Sequence, residues 1–472
     1  TTTGACQAAI EGPQTLFLGV EAINPVTLAG GSYTVNDTAV QLYDLGDRPA
    51  FPSLPSAVAV TFDSDGTASL MNNYSDVGQL RMAGFVSVPA QGANPAFSLS
   101  GTSINDYVVK PHTLEFTTLN DDNSLATVTT DEPVSGFKAA GEPFKGRIRS
   151  LNAAGEVTAN FGNEITPESV VASFESMVYP LPAALMSNET KLEGENSFSG
   201  TNGEFFSDNL RWLEAGTVRI LPELADGDYL GAGDISLKTA GSAGRFYPAK
   251  FVIDSVTGST VPFGLEDAVS CSATGSSYSY MGQPGIVLSY EVLAVNTDGG
   301  ITRNYSHNGT GSIDYAVDLL AKIRPLTNFD GTFNPLERFS NFPTTTNLWD
   351  EGKLIFEDAA ISFDRRTNAP YVDGPYNGFH IGLVADTQPD GVDFESKTRS
   401  IDGTLTAPIT GELNLRYGRA VLPQLAGGGF DELPIEFGIE VYDRSLGTFV
   451  THTDDSCYEV TQDFALTDNA GN

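Results

Sequence analysis

Three carboxylates crowd one short stretch of this chain, Asp226-Gly-Asp228-Tyr-Leu-Gly-Ala-Gly-Asp234. Hard oxygen ligands on a glycine-bearing loop, with carbonyls free to turn inward, suit Ca²⁺. The same composition also makes a solvated connector between domains. A second candidate, Asp63-Ser-Asp-Gly66, opens like a calcium loop. Its twelfth position is Tyr74, which brings no carboxylate, so it reads as a hairpin turn. Asp386, Asp390, Asp393 and Glu395 make another acidic loop. His112, His307, His380 and His452 are scattered singly, without a His-Glu-x-x-His, Cys-x-x-Cys, glycine-rich phosphate loop or Gly-x-Ser-x-Gly elbow. Each histidine therefore reads as a surface or turn residue and the chain as non-catalytic. A glycoside-hydrolysing pair of acids is the trailing alternative, since 60 acidic residues allow many spatial pairs.

The elements that must hold these residues are strands. Gly282-Gln-Pro284 leads into IVLSYEVLAV, then Asn296-Thr-Asp-Gly-Gly300, then Ile301-Thr-Arg-Asn304-Tyr305. Upstream, Gly141-Glu-Pro143 leads into FKGRIRSL, then Asn152-Ala-Ala-Gly155, then Val157-Thr-Ala-Asn160-Phe161. Pro143 and Pro284 are 141 residues apart, and Asn160 and Asn304 are 144 apart. Lys145, Arg147 and Arg149 alternate with Phe144, Gly146 and Ile148, the period of a half-buried strand. Asn and Gly supply the positive φ of a tight turn. Val108-Val-Lys-Pro111 and Phe246-Tyr-Pro248 precede strands in the same way, 137 residues apart from proline to proline, so the duplication covers whole domains.

The 49 Gly and 26 Pro punctuate short runs of Val, Ile, Leu, Phe, Tyr and Thr. This argues for an all-β chain of tandem Ig-like β-sandwiches in an elongated arrangement, with little helix. The best helical period is Asp314 to Ile323, and Asn304 to Thr310 reads as an exposed loop. The expected units are 1–106, 107–243, 244–324 (open toward the next) and 325–472, the last truncated. Sixty acids against 25 bases give −35. Such a surface repels phosphate backbones and anionic lipid, which argues against nucleic acid and membrane adsorption. Acidity also keeps an edge-bearing β-protein soluble. No run of 18 apolar residues is present, so no transmembrane segment is expected. Thr1 follows no leader, so the chain reads as a mature or excised piece. Three cysteines, Cys6, Cys271 and Cys457, leave one without an intrachain partner if a disulfide forms.

The landmarks so far, in order, are Phe62-Asp-Ser-Asp-Gly, Asp76-Val-Gly-Gln79, Val108-Val-Lys-Pro111, Asn160-Phe-Gly-Asn-Glu164 and Asp228 to Asp234. They continue with Gly244-Arg-Phe-Tyr-Pro248, Tyr280-Met-Gly-Gln-Pro284, Arg416-Tyr-Gly-Arg419 and His452 to Cys457. In this order they resemble the large C-terminal region of MshQ-like proteins of mannose-sensitive haemagglutinin type IV pili. The resemblance implies an exported protein at the cell surface of a Gram-negative bacterium. Pilus components or host and environmental surface glycans would be its partners, and adhesion its role. It also implies that Cys271 pairs with Cys457. Self-assembly into a fibre or surface layer by strand addition is the alternative. The run after Arg419, Ala-Val-Leu-Pro-Gln, departs from the family's pattern.

Overall fold

The computed structural model describes residues 10–90, 95–129, 135–180 and 191–253 without a break, then shorter stretches between 264 and 455. The chain divides into two compact units, one of Thr1–Thr130 and Gly136–Phe246, the other of Asp131–Ser135 and Tyr247–Asn472. Among the described residues the only helix is the short 3₁₀ turn Pro335–Arg338, and no helix is long and apolar enough to cross a membrane.

The first sandwich is laid down by β1 (Gly12–Asn24), β2 (Ser56–Phe62), β3 (Gly78–Val88) and β4 (Phe97–Thr102). β1 lies between β2 and β3, and β4 adds antiparallel to the far side of β3. The strand Tyr107–Val109 also joins β3, so the first sheet runs past residue 106. Tyr33–Val35 pairs with Thr38–Val40 and Asn72–Tyr74 in the facing sheet. Leu18, Val20, Tyr33, Val35, Val58 and Leu80 fill the space between, the inward half of each alternating strand.

The second sandwich sets β5 (Thr113–Leu119), β6 (Pro143–Leu151) and β8 (Glu204–Trp212) against β7 (Val170–Tyr179), β9 (Gly216–Leu224) and β10 (Gly241–Tyr247). Its core holds Phe116, Phe144, Ile148, Trp212, Ile220 and Phe246, with Trp212 stacked on Phe174 at 5.7 Å between ring centroids. On the outer face of β6 the predicted basic residues meet acids: Arg149 pairs with Glu115 at 2.9 Å and Arg147 with Glu204 at 3.7 Å.

The second unit repeats this framework with β11 (Lys250–Ile253), β12 (Ile286–Val295) and β13 (Lys353–Phe363). β5 pairs β6 with Thr113 opposite Leu151, and β11 pairs β12 with Lys250 opposite Val295, the same two offsets as in the sequence. The turns repeat atom for atom. Asn152 N–H donates to Glu156 O, and its Oδ1 accepts from Ala154 and Glu156 N–H; Asn296 does the same with Gly300 and Asp298. Asp63 builds the identical turn with Asp65 and Thr67, which settles Asp63 as a turn residue.

Two expectations are corrected. The helical period at Asp314–Ile323 yields, in its described part, the strand Leu319–Ile323, paired with Ile381–Ala385. Pairing distant in sequence has overridden a weak local period. The expected exposed loop at Asn304 begins buried: Asn304, Tyr305 and Ser306 are 5%, 1% and 1% exposed. Tyr305 is the counterpart of Phe161 and packs on Phe251 and Trp349 in the second core.

Candidate functional site

Several of the residues singled out in the sequence collect at two places, one in each unit. In the first unit Asp76 follows the Asn72–Tyr74 strand and is 5% exposed. Its Oδ1 accepts from Val77 N–H (2.8 Å) and Asn160 N–H (3.0 Å), and its Oδ2 from Ala159 N–H (3.1 Å). Asn160, fully buried, answers across the same seam. Its Oδ1 accepts from Ala29 N–H at 2.7 Å, and its Nδ2 donates to Tyr74 Oη at 2.7 Å and Gly30 O at 3.3 Å. Asn152 Nδ2 donates to Ser75 O, and Asn24 Oδ1 accepts from Ile165 N–H. The two sandwiches of this unit are thus joined by a saturated polar seam. Burial pushes the Asp76 carboxyl up, against the three N–H groups that draw it down.

Next to that seam Glu164, 3% exposed, accepts from Gly162 and Glu168 N–H and from Tyr229 Oη at 3.0 Å. Tyr229 belongs to the candidate calcium loop. Asp226 Oδ1 accepts from Asp228 N–H, the two Asp228 oxygens accept from Gly231 and Gly233 N–H, and Asp234 is paired with Lys238 at 2.8 Å. The carbonyls of Ala232 and Asp234 face Lys110 Nζ rather than an open centre. The three carboxylates therefore each brace their own loop. Among the described residues no three His, Cys, Asp or Glu side chains gather as a metal-ligand set. Asp390 lies on a turn, and Asp393 is paired with Lys397. Cys271 and Cys457 fall outside the described residues.

This acidic neighbourhood sets a pH dependence. Burial first, then the charges of Asp226, Glu164 and Asp228, raise Glu168 from its ordinary 4.5 to about 7. A carboxyl raised in the folded state binds more protons folded than unfolded between these two values. Its contribution to stability is complete below the ordinary value and is lost as pH rises through about 7. The first unit should therefore unfold at higher urea at pH 5.5 than at pH 8. Glu168→Gln keeps an acceptor for Leu230 N–H (3.3 Å) and should flatten that slope. An unchanged slope in the variant would assign it to other groups.

In the second unit three landmarks distant in sequence meet. Tyr280 Oη donates to Asp455 Oδ2 at 2.6 Å and lies 2.7 Å from His452 Nδ1. One phenolic proton serves one acceptor, so His452 carries its proton on Nδ1 and donates it to Tyr280. Burial and the Asp455 carboxylate hold the Tyr280 phenol well above its ordinary value, so it stays protonated. Burial draws His452 down, against the pull of Asp455 and Asp454. Arg416, on the Leu413–Arg416 strand beside Tyr280, donates to Asn377. The sequence alone makes His452 a lone surface or turn residue. Its partner Tyr280 is 172 positions away; the parallel pairing of Ser279–Tyr280 with Leu415–Arg416, and the ladder from Gly418–Val421 through Gly438–Asp443 to Thr448–Thr451, bring the segments together.

A cleft of about 550 Å³ opens beside this knot, lined by Tyr280, Gln283, Asp364, Arg365, Arg419 and Ile439. Arg365 Nε donates to Met281 O (2.9 Å) and Nη2 to Gly418 O (2.7 Å), with its guanidinium 5.1 Å from the Tyr417 ring centre. Gly418 is required here, because a Cβ would meet the Tyr280 ring at 2.6 Å. Arg419 lies over Phe449 and is neutralised by Glu440 at 2.6 Å. Arg365 has no carboxylate partner among the described residues. The arrangement is a recess walled by the Tyr280 ring, with amide and guanidinium donors, the Asp364 carboxylate, and one guanidinium that forms no ion pair among the described residues. Neither Arg365 nor the cleft was visible in the sequence.

Residues 1–102 match the domain of unknown function DUF6701, first Ig-like domain; residues 110–208 match its second domain, and residues 214–409 its third. No curated protein matches the chain. With all three domains present in order over most of its length, the chain belongs to the three-domain DUF6701 family.

Proposed function

We propose that this protein is a non-catalytic binding module of the bacterial cell surface, adhesin-like in its use, and that its ligand sits in the Tyr280–Arg365 cleft. The observation that carries the reading is Arg365: a cation without a carboxylate partner among the described residues, beside an aromatic wall, in a chain of net charge −35. A saccharide bearing a carboxylate fits such a recess. Its ring face lies on aromatic carbon, its hydroxyls reach Gln283 and Asp364, and its charge meets the guanidinium. The protonated tyrosine at the cleft's edge is a poor base, which supports binding over turnover. The pilus association rests on the MshQ-like landmarks alone and is part of the proposal, as is export from a Gram-negative cell.

An array of acidic and neutral glycans probed with the full chain tests it. Arg365→Ala should lose about tenfold or more in affinity for acidic glycans, as expected for a charge-assisted contact of roughly 1.5–3 kcal/mol. Because Arg365 also braces two carbonyls, Ala420→Trp provides a second variant that fills the cleft from its exposed wall. Binding that survives both changes, or no glycan binding at all, would overturn the assignment.

A further inference from the structure

We propose that β4, the edge strand Phe97–Thr102, pairs antiparallel with β4 of a second copy of this chain. β4 is hydrogen-bonded to β3 on one side and to nothing on the other among the described residues. Ser103 N–H donates to Met82 O, so Ser103, Gly101, Leu99 and Phe97 direct their backbone groups toward β3. Those of Ser98, Ser100 and Thr102 point outward. Natural edges are guarded by charge, proline or a bulge. This one has none of them: its register with β3 is unbroken, and no Lys, Arg, Asp or Glu occurs from Met82 to Asn105.

A second copy is the occupant that the residues fit. Pairing about a two-fold axis at Ser100 sets Ser98 opposite the partner's Thr102 and Leu99 opposite the partner's Gly101. Leu99 is 48% exposed, and a Cβ built on Gly101 meets nothing within 4 Å. Each copy thus offers one leucine and one open slot, and the match is reciprocal, as a two-fold interface demands. Charge agrees: two molecules of −35 repel over most of their surface, and here neither strand brings a charge. The face that would continue across the pair presents Ala57, Phe17, Phe85 and Ser100 in one cross-strand row, and beyond it the pairs Ala59–Thr15 and Ser87–Ser98. Those positions contain no amide or carboxylate to hold sugar hydroxyls, which argues against a glycan on this surface. The inference does not depend on the cleft of the second unit.

Sedimentation velocity on the full chain over a concentration series tests it. A reversible dimer is expected that tightens as salt rises, since screening relieves the surrounding repulsion. Ser100→Pro removes an outward N–H that β3 does not use, and it should weaken the dimer by about tenfold or more. Gly101→Val fills the slot with a residue favoured in strands, leaves the monomer's contacts unchanged, and should have the same effect. Far-UV circular dichroism of both variants should match the parent. A chain that stays monomeric overturns the proposal, even if it captures a strand from another protein. A dimer that persists in both variants overturns it as well.

Discussion

Asp76→Ala should cost the first unit about 2–4 kcal/mol and separate the unfolding of its two sandwiches, because three buried backbone N–H groups lose one acceptor. Two of the three, from Ala159 and Asn160, come from the other sandwich. The mutation therefore injures the seam more than either core. Asn160→Ala removes three bonds in the opposite direction, to Ala29, Gly30 and Tyr74, and should act similarly. Asn160→Asp should be worse than alanine, since it places a second carboxylate beside a buried first one. Hydrogen exchange read by mass spectrometry tests the mechanism. Peptides covering 74–80 and 156–164 should lose protection in the variants, while peptides from β9 in the core of the second sandwich change little. Uniform loss across the unit would mean that the sandwiches are coupled through their cores and that the polar seam is incidental.

The second large effect concerns the duplicated framework. Gly203 and Gly352 hold the same place in the two copies, with φ of 77° and 75°. Gly203 N–H donates to Phe161 O and its carbonyl accepts from Ser150 N–H; Gly352 makes the matching pair with Tyr305 and Ala294. A Cβ would stand 2.4 Å from Thr158 O in the first copy and 2.5 Å from Thr302 O in the second. Left-handed backbone and a backbone clash together should make Gly→Ala cost about 2–4 kcal/mol at each position. Urea unfolding of the single variants should show each injuring its own unit by a similar amount. A large effect at one position and none at the other would mean that the two copies share a pattern but not its energetics.

Strand framework and duplication were legible because they rest on local rules. The alternation from Phe144 to Leu151, the Asn-to-Gly turns and the paired prolines each restrict backbone shape within a few residues. The offsets of 137 and 144 reappear as the pairings Thr113–Leu151 and Lys250–Val295. The polar seam was only half legible. Asp76 and Asn160 stood out as landmarks, but nothing local shows that a carboxylate in one domain answers backbone donors 84 positions away in the next. The loop Asp226–Asp234 was partly legible for a related reason. Spacing counts carboxylates but does not reveal that each is already bonded to an N–H or a lysine of its own loop. The cleft was not legible at all, since Tyr280, Arg365 and Gly418 come from three distant segments that only sheet pairing unites.

The pairing of β3 has a mechanical consequence. It holds β1 along one edge and, at Gly78–Leu80, the strand Tyr107–Val109 along the other. Both neighbours run antiparallel to β3, so they point the same way. A pull applied between Gly12 and Val109 draws them in opposite directions along their own axes. The pulling force is then resisted in shear, by a row of hydrogen bonds that must fail together, and not by peeling them one at a time. A domain wired in this way is a clamp under tension.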